Sequence, residues 1–354
     1  MSCPFVSAIY FPSDNPVIIG IETSCDETAA AVVSDEATIR ADVVWSQQEL
    51  HSRFGGVVPE LAGRRHIETI DQVVREALSR AGIGVADLTA VAVTGGPGLI
   101  GALLVGVAYG KALAYARNIP MIPVNHLEGH LSAAALCAVP VHPPFIALIA
   151  SGGHTSLYHV KGWDCVELLG QTLDDAAGEA FDKAAKMLGF GYPGGPIIDQ
   201  LAQRGRATPV RFPKPYPSCD DLNFSFSGLK TALLYYLRDQ ERAGLTYDPA
   251  SVAAGYQHAI VEVLVDKTMV AAKRLGVRDV VITGGVAANS ELRARFMEQG
   301  AAASLGVYIP PLKYCTDNAA MIAVAGLRLA RAGRTAGLAF EPQANWMLGE
   351  ESPQ

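Results

Sequence analysis

No lysine or arginine occurs before Arg40. A secretory signal opens with a basic stretch ahead of its apolar run, so residues 1–16 do not qualify as one and read as a short leader before the first strand. Charge is sparse throughout: Asp, Glu, Lys and Arg make up 18% of the 354 residues, while half are hydrophobic, enough for a sizeable core. The balance is acidic, at −7, which gives no overall field favouring nucleic acid; RNA contact would need a local basic patch or a partner. Pairing signals for cysteine are missing. The six cysteines, at 3, 25, 137, 165, 219 and 315, form no CxxC pair and no regular spacing. That argues against a disulfide framework or a zinc ribbon and suits a reducing cytosol. An unbroken membrane-length run is also lacking. Residues 88–110 carry no charge over 23 positions, a length able to span a bilayer. Six glycines fall there, however, and Thr94-Gly95-Gly96-Pro97-Gly98 interrupts it. A buried strand, a glycine turn and a packed helix fit better, and no membrane span is expected.

What is present is a repeat of form. Residues 17–33 read as an apolar strand (VIIGI), a polar turn (ETSCDET) and a second apolar strand (AAAVV), and residues 145–160 repeat this as FIALIA, SGGHT and SLYHV. Each half then carries a strand, a T-G-G turn and a helix, from Ala90 and from Val280. The fold class is therefore α/β, with two similar domains, as the length alone suggests. The expected division is a leader at 1–16, a first domain at 17–145, a second at 146–345 and a tail at 346–354. The second half is longer between hairpin and T-G-G unit, which predicts an insertion at about 169–247, where substrate choice tends to reside. Helices are expected at 66–81, 101–117, 127–137, 178–188, 253–274, 290–298 and 318–331.

Several segments can carry chemistry. Backbone without Cβ lets several N–H groups converge on an anion, which suits Ser151-Gly152-Gly153-His154-Thr155 and its counterpart Thr23-Ser24-Cys25-Asp26-Glu27-Thr28; plain hairpin turns look the same singly. Gly284 to Asn289 follows a strand and opens a helix, so a nucleotide can approach its backbone while Asn289 caps the helix or bonds a ribose. His126 and His130 stand one helical turn apart, spacing that suits Zn²⁺ or Fe²⁺ once a third ligand is found. Asp317 is a candidate for that ligand, or else an N-cap. Glu128 lies two residues after His126, rotated by roughly 200° around the helix, so the HExxH protease arrangement is absent. Asp26, Glu27, Asp174, Asp175, Glu179 and Asp182 crowd the same turns, with Glu179–Lys183 and Asp182–Lys186 at i,i+4. Arg204, Arg206, Arg211 and Lys214 form one basic cluster, and Arg64, Arg65 and His66 another; either can meet RNA phosphate, a protein or only solvent.

Taken in order, IGIETSCDETAAAVV, GGVVPELAGRRH, GGPGLIGALLVG, NHLEGHL, ASGGHTSL, DDAAGEAFDKAAKMLG, YPGGP, FSFSGLKT, TGGVAANSELR and YCTDNAAM resemble the successive motifs of tRNA adenosine threonylcarbamoyltransferases. They span residues 17 to about 330, and the bacterial form is favoured because no kinase domain follows the last motif. The resemblance implies the actin-like superfold of sugar kinases and heat-shock ATPases. It implies transfer of threonylcarbamoyl from threonylcarbamoyl-AMP to the exocyclic amine of the adenosine 3′ of the anticodon, in tRNAs reading codons that begin with A. It assigns one divalent metal, Fe²⁺ in preference to Zn²⁺, to His126, His130 and Asp317. The substrate-binding turn corresponds to Ile149, Ala150, Ser151, Gly152 and Gly153, and nucleotide-side contacts to Asp182, Gly195, Asn289 and, less closely, Asp199. Asp26 and Glu27 match acidic residues facing the same cleft, as tentative catalytic groups. Asn125 stands where many relatives carry a third His. Partners implied are tRNA, a paralogous actin-like subunit and a small ATPase, through which ATP and Mg²⁺ would enter, in the cytoplasm. Rival readings are a sugar-kinase-like phosphotransferase, a small-molecule carbamoyltransferase and a non-catalytic scaffold, of which the last loses the metal ligands that this chain keeps.

Overall fold

The computed structural model describes residues 16–35, 38–205, 209–216, 218 and 220–350. All but Pro16 of the expected leader, the end of the tail, Cys3, Arg206 and Cys219 lie outside these residues. Two compact units emerge, one reaching to Pro140 and resuming at Asp317, the other Val141–Thr316. The segment from Asp317 onward, expected in the second domain, belongs with the first.

The first unit opens with β1 (Ile18–Glu22), β2 (Glu27–Val33) and β3 (Ile39–Ser46) as an antiparallel meander. Then come α1 (Gln48–Ser52), α2 (Pro59–Ala81), β4 (Ala90–Gly96), α3 (Ile100–Arg117), β5 (Met121–Asn125) and α4 (His126–Ser132). β4 runs parallel to β1 and β5 parallel to β4, giving the order β3-β2-β1-β4-β5. β1, β4 and β5 are buried along their whole length and read as continuous apolar runs, as strands covered on both faces do. The uncharged window thus became β4, a turn and α3, and no helix among the described residues is long and apolar enough to cross a membrane. α2 starts at Pro59, well ahead of the expected His66, because proline at the first helical position loses no hydrogen bond and arrives with helical φ.

The second unit repeats the plan: β6 (Phe145–Ala150), β7 (Thr155–Gly162), β8 (Cys165–Gln171), α5 (Ala177–Met187), α6 (Gly194–Gly205), α7 (Ser227–Arg242), α8 (Pro249–Leu275), β9 (Asp279–Thr283), α9 (Ser290–Ala303) and β10 (Gly306–Tyr308). The sheet order is β10-β9-β6-β7-β8, with β9 parallel to β6. Its core gathers Phe181, Phe224, Phe226, Tyr256 and Phe296. The expected insertion holds α5, α6 and α7. Asp174 fastens it: its carboxylate accepts from Phe226 N and Ser227 Oγ, both at 2.7 Å, and from Ser225 Oγ, capping α7 from a distance. Burial opposes ionisation of Asp174, but these bonds outweigh it and hold the carboxyl below its ordinary value.

The last helix, α10 (Ala319–Arg331), returns to the first unit and packs on β1, β2, β4 and α4. Ile19 and Ile21 of β1 share a cluster with Ile70, Val73 and Val74 of α2 and Val107 of α3. Gly20 points the other way, and a Cβ there would lie 2.5 Å from Ala319 O. Period-two alternation therefore sets α10 on the face opposite α2 and α3.

Candidate metal centre and ligand-facing turns

β5 ends at Asn125 and α4 begins on the next residue, so His126 and His130 leave one face of a short helix a single turn apart. Their rings meet edge to face, 4.8 Å between centroids. Asp317 arrives from the far end of the sequence, just ahead of α10. Its Oδ1 lies 3.4 Å from His126 Nε2 and 3.3 Å from His130 Nε2. Asn318, not Asp317, caps α10, accepting from Met321 N at 2.9 Å. The capping role left open for Asp317 belongs to its neighbour. Glu128 lies by Arg334, 4.0 Å away, and takes no part in the cluster, in keeping with the rejected protease reading.

Sequence reasoning misses Glu22. This residue closes β1 and is fully buried. Its Oε2 accepts from His126 Nδ1 at 3.0 Å and from Thr94 Oγ1 at 2.7 Å, and its Oε1 accepts from Ser24 N. Ser24 Oγ also lies 3.2 Å from His126 Nδ1. The proton on Nδ1 leaves the Nε2 lone pair toward Asp317, the arrangement by which a carboxylate orients a metal-binding imidazole. A single carboxylate ending the otherwise apolar run VIIGI was the available signal.

The donors fit a single metal site. Both nitrogens of buried His130 lack a hydrogen-bond partner; Nε2 is within ion-pair reach of Asp317 but is not aligned for a hydrogen bond. Burial lowers the pKa of His130 and keeps the ring neutral, with a lone pair to give. Burial also works against protonation of His126, yet Asp317 and Glu22 outweigh it and raise its pKa, so without an ion a second proton competes for the Nε2 lone pair and would be released on metal binding. Two donors each about 2.1 Å from one ion stand about 3.4 Å apart in a tetrahedral set; the two separations from Asp317 Oδ1, 3.3 and 3.4 Å, have that length, and the three ligand atoms together lie within 4.8 Å of one another. Among the described residues, no other group of three His, Cys or acidic side chains comes close enough to share an ion.

Asp26 and Glu27 lie in the same unit, at the β1–β2 turn. Burial raises the pKa of both, and Glu27 reaches about 8 with help from the Asp26 carboxylate. Ser46 Oγ donates to Glu27 Oε1 at 3.0 Å, while Oε2 is buried without a partner. His66 lies beneath this turn: its Nε2 donates to Cys25 O at 3.0 Å and its Nδ1 meets Thr28 Oγ1 at 2.8 Å. It is fully buried, which removes it from the basic surface cluster expected with Arg64 and Arg65. The neighbouring Arg65 pairs with Glu68 at 2.7 Å. Lys214 of the other cluster is tied to Asp266.

In the second unit the expected substrate turn closes on itself, with Ser151 N donating to His154 O at 2.7 Å and His154 N to Ser151 Oγ at 3.1 Å. Ile149 and Ala150, at the end of β6, are fully buried and support it. Gly178 packs under the turn, where a Cβ would come within 2.5 Å of Ser151 O. On Gly152, Gly153 and Gly195, by contrast, a Cβ would meet nothing within 4 Å, and none has a left-handed φ. Neither packing nor backbone conformation demands glycine there. Asp182 Oδ1 accepts from Gly194 N at 2.6 Å and so fixes the turn before Gly195. Asp199 accepts from Ser290 N and Oγ, at 3.2 and 2.7 Å. Asn289 caps α9 through Leu292 N at 3.0 Å and donates to Gln257 Oε1 at 2.7 Å. Asp182, Asp199 and Asn289 thus shape the segments around them through bonds within the unit. Glu179 pairs with Lys183 at 2.9 Å as its spacing predicts, and Asp175 joins at 2.6 Å.

Among solved structures, (R)-2-hydroxyglutaryl-CoA dehydratase component A of Acidaminococcus fermentans matches with a TM-score of 0.53 at 17% identity, covering 89% of this chain and 99% of its own. HypF of T. kodakarensis matches with a TM-score of 0.61 at 15% identity, over 92% of this chain and 49% of its own. At such identities the likeness is one of fold, the actin-like architecture that the resemblance implies and the repeat of two α/β units agrees with. Closer relatives are curated as tRNA N6-adenosine threonylcarbamoyltransferases. Those of Syntrophus aciditrophicus and Anaeromyxobacter dehalogenans are 50% and 54% identical over 94% of this chain and cover 98% and 99% of their own lengths. The family model of the same description matches residues 38–324. Running as it does through both units and every motif singled out above except the first hairpin, residues 17–33, this agreement establishes that the chain belongs to the tRNA N6-adenosine threonylcarbamoyltransferase family.

Proposed function

We propose that the chain transfers the threonylcarbamoyl group of threonylcarbamoyl-AMP to the exocyclic amine of the adenosine 3′ of the anticodon, in tRNAs that read codons beginning with A. The observation that carries this reading is the cluster of buried His126 and His130 with half-buried Asp317, and Glu22 behind it, in a chain of this family. Those three residues would hold one divalent cation, and two imidazoles with one carboxylate favour Fe²⁺, with Zn²⁺ as the alternative. When bound, such an ion acts as a Lewis acid toward carbamoyl and phosphate oxygens. His126, His130 and Asp317 would supply three ligands to such an ion, the number that catalytic sites of this kind provide.

The chain's own groups do the rest. Glu22 keeps His126 in one tautomer. Ser151 and His154 close their turn on each other, so anion contact falls to the backbone N–H groups of Gly152 and Gly153. Ile149 and Ala150 anchor that turn, while Asp182, Gly195, Asp199 and Asn289 shape the nucleotide side. The donor is already activated, so no covalent enzyme intermediate is needed. Asp26, its pKa raised by burial, is suited to take the proton lost by the attacking amine, and Glu27, neutral near pH 7, to donate a hydrogen bond. Work in the cytoplasm follows from a tRNA substrate. A paralogous actin-like subunit is the partner we assign to α3, whose exposed Ile100, Leu104, Ala108, Ala112 and Tyr115 form an uncharged stripe at helical spacing. A small ATPase would join them and supply ATP and Mg²⁺.

The test is single-turnover transfer of labelled threonylcarbamoyl from its adenylate to unmodified tRNA, with and without the partners. Label should reach tRNA with the natural chain and fall at least 100-fold with His126→Ala, whose bound metal should fall in parallel. No transfer with partners and several metals supplied would replace this reading with a small-molecule carbamoyl transferase.

A further inference from the structure

Beyond α10 the chain runs back toward the paired histidines. Ala336 N donates to Met121 O at 2.9 Å, Gln343 N to Gly95 O at 2.8 Å, and Gly98 N to Ala344 O at 3.1 Å. Phe340 and Trp346 are buried, at 0% and 2% exposure, and Lys111 Nζ bonds Phe340 O. A Cβ on Gly96 would lie 1.9 Å from Gln343 O, so this segment crosses the turn after β4 in a place that only glycine leaves open. Residues 336–347 form a strap, anchored at both ends by buried rings or backbone bonds.

One side chain joins the strap to the metal cluster. Asn125 Oδ1 accepts from Leu127 N at 2.9 Å and Glu128 N at 3.4 Å, capping α4, while its Nδ2 donates to Trp346 O at 3.1 Å. Capping alone is served by Ser, Thr, Asp or Asn. Of these, only Asn adds an N–H donor for the strap. The next residue is His126, the first of the helix that carries both imidazoles.

We propose that Asn125 is a positioning residue that couples the strap to the metal ligands. The held carbonyl of Trp346 fixes Asn125, Asn125 fixes the start of α4, and α4 then presents His126 and His130 to Asp317. Releasing the strap lowers affinity for the ion. The inference rests on His126, His130 and Asp317 binding metal, and its test separates the two.

The probe is Zn²⁺ alone, in competition with a chromophoric chelator, on the full chain. The variants are Asn125→Ser, which caps α4 but cannot reach the strap, Trp346→Ala, both together, and His126→Ala. Each of the first two should bind Zn²⁺ about tenfold more weakly, as when support behind a ligand is lost. The double variant should bind no worse than the weaker single one, because both break the same link. Hydrogen exchange at the Gly98 and Gln343 amides should quicken in both singles. Wild-type affinity in both singles, or losses that multiply in the double, would overturn the proposal. Should Trp346→Ala not fold, Asn125→Ser carries the test alone: weaker binding with faster exchange supports the coupling, and unchanged affinity overturns it. His126→Ala binding Zn²⁺ as tightly as the natural chain would instead sink the metal reading beneath it.

Discussion

Glu22 is the residue whose role the sequence hides best. A carboxylate buried among strands is costly unless fully bonded, and here His126, Thr94 and Ser24 all meet it. Glu22→Gln keeps the shape but sets an amide N–H₂ against one of those donors. Metal affinity should fall 10- to 100-fold, read by chelator competition, with unaltered affinity assigning Glu22 to the core alone. Glu27 offers a test in pH. With its carboxyl at about 8 against an ordinary 4.5, the folded chain holds a proton between those values that the unfolded chain has lost. Stability from this group is full below about 4.5 and declines as pH rises through that window. Glu27→Gln removes the decline, so urea unfolding from pH 5 to 8.5 should find the variant gaining on the natural chain by on the order of 1–2 kcal/mol after allowance for solvent access. Parallel curves would mean that Glu27 titrates normally. The histidine pair and Asp317 were legible because helical spacing and family motifs both mark them. Glu22, Asn125 and the buried His66 were not, since hydrogen bonds across 38 to 221 positions leave no spacing to read.

At the scale of elements, α10 is what brings Asp317 to α4, and small residues let it come. A Cβ on Gly20 would strike backbone, 2.5 Å from Ala319 O and 2.7 Å from Ala323 N. Gly20→Ala should therefore shift α10 or cost about 1–3 kcal/mol, the typical range of overpacked cores, and should weaken Zn²⁺ binding together with the drop in Tm. A fall in Tm with metal affinity intact would show that α10 can slide without moving Asp317. Helices with strong apolar patterning were placed well by sequence, within a few residues for α3, α5 and α10. α6 and α7 were not anticipated: α6 opens on Gly194-Gly195-Pro196, and the cap of α7 comes from Asp174, too distant in sequence to mark a helix start.

For the whole molecule, the repeated hairpin and T-G-G units correctly foretold two α/β units, because each must build its own sheet. The domain boundary failed where the chain doubles back, as neither composition nor periodicity records which sheet a helix joins. Leu104, 51% exposed in the uncharged stripe of α3, is the place to test assembly. Leu104→Lys should weaken association with the proposed paralogous subunit at least tenfold in sedimentation or titration, and lower transfer by the proposed complex, while leaving Tm within about 1–2 °C. Unchanged association would move the partner to another face. The return of Asp317 and α10 to the first unit also matters while the chain is being made. A ribosome releases β1 to α4 early, with both histidines in place, but the third ligand and the strap emerge only after the entire second unit. A nascent chain or a product broken off short thus lacks one arm of the cluster, and if the cluster holds an ion as proposed, the capacity to hold it becomes a mark of completed synthesis.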